Sequence, residues 1–172
     1  MRIVVVGGTG LIGSRLVSLL RARSHDVVVA SRSEGIDAIS GQGLTDALRG
    51  AEAVVDVTNT AAIAGNAPIH FFETITRNLI AAEIAVGIGH HIALSIVGLD
   101  RLLSGNYFKA KAAQESIIKT SSIPYTIVRS TQFFELVYRM LGIDDDAEFV
   151  RLPSAILQPI ASDDVARALV ET

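Results

Sequence analysis

The chain has 172 residues, 49% of them hydrophobic and 19% charged, with a net charge of −3. That balance suits a soluble, core-rich protein of one domain spanning 1–172, and it excludes a disordered chain. The mild negative charge gives no electrostatic footing for nucleic acid. The absence of Cys excludes disulfides, thiolate metal sites and a Cys nucleophile, and it fits a cytoplasmic protein.

The first stretch, MRIVVVGGTGLIGSRLVSLL, organises the rest. A short apolar run, Ile3–Val6, is too short for a signal-peptide core and reads as a strand. It meets glycines at 7, 8, 10 and 13, and a helical pattern follows through Leu11, Ile12, Leu16, Leu19 and Leu20. Strand, glycine turn and helix in that order open a dinucleotide-binding βαβ unit. Gly7 is expected to turn the backbone out of the strand. Gly10 would let a pyrophosphate approach the main chain, and Gly13 would let helix and strand pack closely. The free N–H groups and positive dipole end of the helix would face the phosphates.

Further strands are expected at Asp26–Ser31, Ile36–Ile39, Ala53–Val57, His91–Ile96 and Tyr125–Arg129, with a last strand-like piece near Ala155–Gln158. Helices are expected at 43–48, from Pro68 to about Val86, at 106–120, at 133–141, and after an N-cap signal at Ser162-Asp163-Asp164. Ala61–Asn66 reads as a loop and Asp144–Asp146 as a solvated acidic turn. The strands are nearly continuous apolar runs that alternate with helices, which predicts a doubly wound parallel sheet of Rossmann type, order 3-2-1-4-5-6. The longest apolar segment, 84–99, is broken by glycines and by His90 and His91, so no membrane span is expected. The histidines lack the spacing of a metal site, and no metal is predicted. Asp56 interrupts its apolar strand without a sequence-level explanation. The apolar helix faces suit a core or a homodimer interface equally.

The second strand ends Ala30-Ser31-Arg32-Ser33. An acidic residue there would hold the ribose hydroxyls of NAD, and none is present. Ser31 and Ser33 can donate hydrogen bonds and Arg32 can clamp a 2′-phosphate, so NADP(H) is expected over NAD(H). Tyr107 and Lys111 stand four apart on a predicted helix and share a face. Free tyrosine titrates near pH 10, and a neighbouring ammonium would bring that down. The same ammonium could reach the nicotinamide ribose. Ser95 ends the preceding strand and could orient a substrate carbonyl. Together they form a candidate proton-delivery site for hydride transfer.

GGTGLIG, the set Ser95 and Tyr107-x-x-x-Lys111, and SIPYTIVRSTQF at 122–133 resemble the short-chain dehydrogenase/reductase superfamily, and within it the atypical, NmrA-like or NAD(P)H-binding branch. The resemblance spans essentially the whole chain. It implies an NADP-binding Rossmann domain in which Thr9, Leu11 and Ile12 line the phosphates. It further implies that Thr58 and Asn59 sit by the adenosine or ribose, and that Ser130–Phe133 border the nicotinamide. The superfamily's Ser, Tyr and Lys fall on Ser95, Tyr107 and Lys111. Members of this branch usually continue past the Asp163-Asp164-Val165-Ala166 segment into a small substrate lobe, so a reduced lobe is expected here. The branch also contains non-catalytic redox sensors. Two functions follow as expectations: an NADP(H)-dependent reductase of a small carbonyl or quinone, or an NADP(H)-binding regulatory protein.

Overall fold

Successive side chains alternate sides along each short strand, and the computed structural model puts those strands into one parallel sheet. It describes residues 1–61, 65–101, 105–140 and 157–172, with side chains omitted at 138–140. The strands are β1 (Arg2–Val6), β2 (Asp26–Ala30), β3 (Ala53–Asp56), β4 (His90–Ile96) and β5 (Tyr125–Ser130). Their order is β2-β1-β3-β4-β5. In register, Val4 stands between Val28 and Val54, and Ala93 stands between Asp56 and Ile127. The helices are α1 (Leu11–Ala22), α2 (Leu44–Leu48), α3 (Ala67–Val86), α4 (Asn106–Thr120), α5 (Phe134–Met140) and α6 (Ser162–Val170).

The period of two sorts side chains between the sheet's faces. Ile3, Val5, Val55 and Ile92 point to one side and bury against Ile12, Leu16 and Leu20 of α1 and Val165, Ala166 and Leu169 of α6. Val4, Val6 and Val54 point to the other, where Leu44 and Leu48 of α2 and Ile75, Leu79 and Ala82 of α3 cover them. Asp56, His91 and Ser95 lie further along this second face, buried among polar groups of α3 and α4.

The fold is the expected doubly wound sheet with two corrections. Residues 36–39 form no strand. Asp37 and Gln42 make a single antiparallel bridge, and the Asp37 carboxylate accepts the Ile39 N–H at 2.9 Å. The carbonyls of Ala38 and Ile39 accept the Asn78 side-chain amide at 3.0 and 2.7 Å. Groups that a sheet ladder would need are therefore spent on a side-chain turn and on α3. The N-cap of α6 is also shifted: Ala161 holds the cap position, and the Ser162 hydroxyl donates to Glu135 instead. The acidic turn at 144–146 lies outside the described residues. So does the start of the piece expected at 155–158, where the described backbone shows only a bridge from Ile160 to Phe133.

Candidate active site

The turn after β1 is built for close approach. Gly7 has φ +80°, and a Cβ on it would stand 3.1 Å from the Thr58 backbone. A Cβ on Gly13 would lie 2.2 Å from the Gly7 carbonyl oxygen and 2.6 Å from Gly8 Cα, so no larger residue fits beneath the turn. Gly10 caps α1 without a side-chain hydrogen bond, and no acidic residue occupies the first turn. The first-turn N–H groups consequently lack internal acceptors, and the positive end of the helix is unopposed. A cradle with these properties fits a pyrophosphate.

Above it, at the carboxyl ends of the strands, lies a cleft of about 770 Å³, within the roughly 300–1,000 Å³ usual for ligand sites. Gly7, Thr9, Gly10, Leu11 and Ile12 line its floor, and Ser31, Arg32 and Ser33 line one end. Thr58 and Asn59 line the middle, while Ser95, Tyr107, Lys111 and residues 130–133 line the other end. Every residue expected at the site therefore borders one cleft, except Gly13, which is buried below it. The Ser31 and Ser33 hydroxyls share a hydrogen bond at 2.8 Å. Arg32 is exposed, and its guanidinium has no partner among the described residues. Asp37 also borders the cleft. Nothing in the sequence marks it, because it stands beyond the end of β2, in a segment with the composition of a strand.

The three chemical residues do come together, with altered hydrogen bonds. Tyr107 donates its hydroxyl proton to Asn59 Oδ1 at 2.9 Å. Its pKa is raised by burial, which outweighs the opposing Asn59 bond. The expected lowering by Lys111 is thus not found, because the ammonium is engaged elsewhere. Lys111 Nζ donates to the Leu94 carbonyl at 2.7 Å and to Gln114 Oε1, and it stands 4.6 Å over the centre of the Phe72 ring. Burial brings its pKa down to about 8, against the raising pull of Asp56 and Glu115. Ser95 is 4% exposed and donates to Glu115 Oε1 at 2.6 Å, so its proton faces the protein instead of the cleft.

Glu115 is the hub of this end. It also accepts Arg129 Nε and Nη2 at 2.9 and 2.6 Å and Lys119 Nζ at 2.8 Å. Burial alone would raise its pKa, but Arg129, Lys119 and Ser95 together hold it at about 2. Asp56 now has its account: Oδ1 accepts the Thr58 N–H at 2.9 Å and Oδ2 accepts Gln114 Nε2 at 2.8 Å. Gln114 and Glu115 were missed in the sequence. Their only signal was polarity on the helix face that also bears Lys111. Among the described residues no cluster could hold a metal ion, and no helix is long and apolar enough to cross a membrane.

Solved structures share this architecture. An NAD-dependent epimerase/dehydratase from Bacillus halodurans, so assigned by its name, superposes with a TM-score of 0.78 at 24% identity, over 99% of this chain and 86% of that one. The UDP-N-acetylglucosamine 4-epimerase of Bacillus cereus gives 0.80 at 18% identity, over 99% and 72%. The dTDP-4-dehydrorhamnose reductase ortholog of Clostridium acetobutylicum gives 0.76 at 16%, over 99% and 69%. In sequence, the epimerase family protein SDR39U1 of Bos taurus is 51% identical over 45 residues, which is 26% of this chain and 15% of that protein. A family model described as NAD(P)H-binding matches residues 7–172. With the glycine cradle and the cleft above it, that match over nearly the whole chain makes this protein a member of the NAD(P)H-binding family, with the Rossmann-like fold that those solved structures share.

Proposed function

We propose that this protein is an NADP(H)-dependent reductase of the short-chain type, acting on a small carbonyl or quinone with Tyr107 as the proton donor. The observation that carries this reading is the meeting of Tyr107 and Lys111 with the Gly7–Ile12 cradle in one cleft. The dinucleotide, when bound, supplies the hydride. The chain supplies binding, orientation and a proton. The α1 amides suit the pyrophosphate. Arg32, Ser31 and Ser33 suit a 2′-phosphate, while the Asp37 carboxylate in the same cleft opposes one. NADPH is expected to bind more tightly than NADH, and the reverse order would remove the NADP assignment.

Tyr107 keeps its proton at neutral pH, because burial raises its pKa, and so stands ready as an acid. Delivery requires the hydroxyl to turn from Asn59 to the substrate oxygen. The Lys111 ammonium would stabilise the phenolate left behind once it turns from the Leu94 carbonyl toward it. Ser95 can donate to the carbonyl only by turning its proton from Glu115. That engaged proton favours the second reading, a non-catalytic NADP(H)-responsive regulatory protein.

NADPH consumption against a panel of quinones, aldehydes and ketones separates the two. Turnover with one class supports the reductase. Tight NADPH binding without consumption across the panel, joined to a partner interaction that changes with redox state, establishes the sensor.

A further inference from the structure

Asp56 and Lys111 are opposite charges, 1% and 3% exposed, that do not touch. Gln114, 1% exposed, stands between them. Its carbonyl oxygen accepts from the ammonium and its amide nitrogen donates to the carboxylate. Only this orientation of the amide satisfies both ends, since an ammonium cannot accept and a carboxylate cannot donate. An unpaired buried charge is costly, and a direct ion pair would be the usual remedy. A direct pair would also draw the ammonium down onto β3. The amide spacer instead leaves it at the cleft, under the Leu94 carbonyl and over the Phe72 ring.

We propose that Gln114 and Asp56 are positioning residues, a relayed counter-ion that fixes the Lys111 ammonium at the Ser95 and Tyr107 end of the cleft. The catalytic consequence rests on the reading of Tyr107 and Lys111 given above; the relay itself does not.

The other charges near Lys111 are already matched. Glu115, on the same helix, is bound by Ser95 of β4, Lys119 and Arg129 of β5, and Arg129 also holds Asp100. Glu83 of α3 and His91 of β4 close on each other, with Nδ1 to carboxylate distances of 2.8 and 3.0 Å. Asp56 is left as the anion that reaches Lys111 through Gln114, and its charge also acts on His91. The other Asp56 oxygen holds the Thr58 N–H, at the strand end that leads to Asn59 and its bond to Tyr107. One carboxylate thereby braces both members of the proton-delivery pair.

The chain has only three lysines, Lys109, Lys111 and Lys119, so their side chains labelled with ¹³C at Cε can be titrated individually by NMR, with Lys111→Met for assignment. In the wild type Lys111 should titrate at about 8. In Asp56→Asn its midpoint should fall by about one pH unit or more, because burial is no longer opposed. In Gln114→Met, which keeps the carboxylate and severs the relay, it should fall as well, while Lys109 stays in place. Gln114→Met also provides the answer where Asp56→Asn fails to fold. An unmoved Lys111 midpoint in Gln114→Met, even with a lower Tm, overturns the relay. A midpoint that falls while the alkaline limb of NADPH turnover stays put upholds the relay and removes Lys111 from the catalytic reading.

Discussion

On the face of the sheet covered by α1 and α6, the main cluster of buried side chains is aliphatic. On the part covered by α3 and α4, the same strands bury Asp56, His91 and Ser95 against Lys111, Gln114, Glu115 and Glu83. The first face needs only shape and hydrophobicity, so many sequences could fill it. The second must satisfy most of its donors and acceptors within the protein, because an unpaired buried group costs about 1–3 kcal/mol; His91 Nε2 is one that stays without a hydrogen-bond partner. A buried polar network of this kind beside a cleft marks a candidate functional site.

Substitutions on the two faces should separate these roles. Leu16 is fully buried on the aliphatic face. Leu16→Ala should lower stability by about 2–5 kcal/mol in urea denaturation, leaving Lys111 ionisation unchanged in the protein that remains folded. A shift in that ionisation would break the separation.

Glu83→Gln acts on the polar side, at a site remote from the cleft, and should cost about 2 kcal/mol at low pH. Burial lowers the His91 pKa, but the Glu83 hydrogen bond and charge, with Asp56, raise it above 6.5 overall. A raised folded pKa adds stability that is full below pH 6.5 and is lost as pH climbs through the folded value. The wild type should therefore exceed Glu83→Gln most below pH 6.5, and the gap should narrow at alkaline pH in denaturation series. A gap that widens with pH would contradict the assignment.

Arg32→Ala touches neither face. It should narrow the preference for NADPH over NADH by about tenfold, without changing Tm, as read by paired titrations. An unchanged ratio would make Arg32 an ordinary surface charge.

Local features were legible in the sequence. Gly10 and Gly13 answer to contacts with Gly7 and Gly8, within a few residues, and the Tyr107–Lys111 spacing answers to helix geometry. The helix at 106–120 follows its pattern to the residue. What escaped depends on partners far along the chain. Ile36–Ile39 has the composition of a strand, but Asn78, some 40 positions on, takes its carbonyls. Asp56 looked anomalous because its partner Gln114 lies 58 positions away. The Ser95 hydroxyl read as free because Glu115 is 20 positions distant. Hydrophobic period predicts which face a side chain takes, but not which polar group meets it there.

The central claim is that the cleft joins a dinucleotide cradle to a tyrosine acid. Tyr107→Phe, assayed for NADPH binding and for NADPH consumption with the accepted substrate, tests it most directly. Turnover should fall by about 10²–10⁴-fold while NADPH affinity stays within about twofold. A variant that consumes NADPH at the wild-type rate would contradict the account.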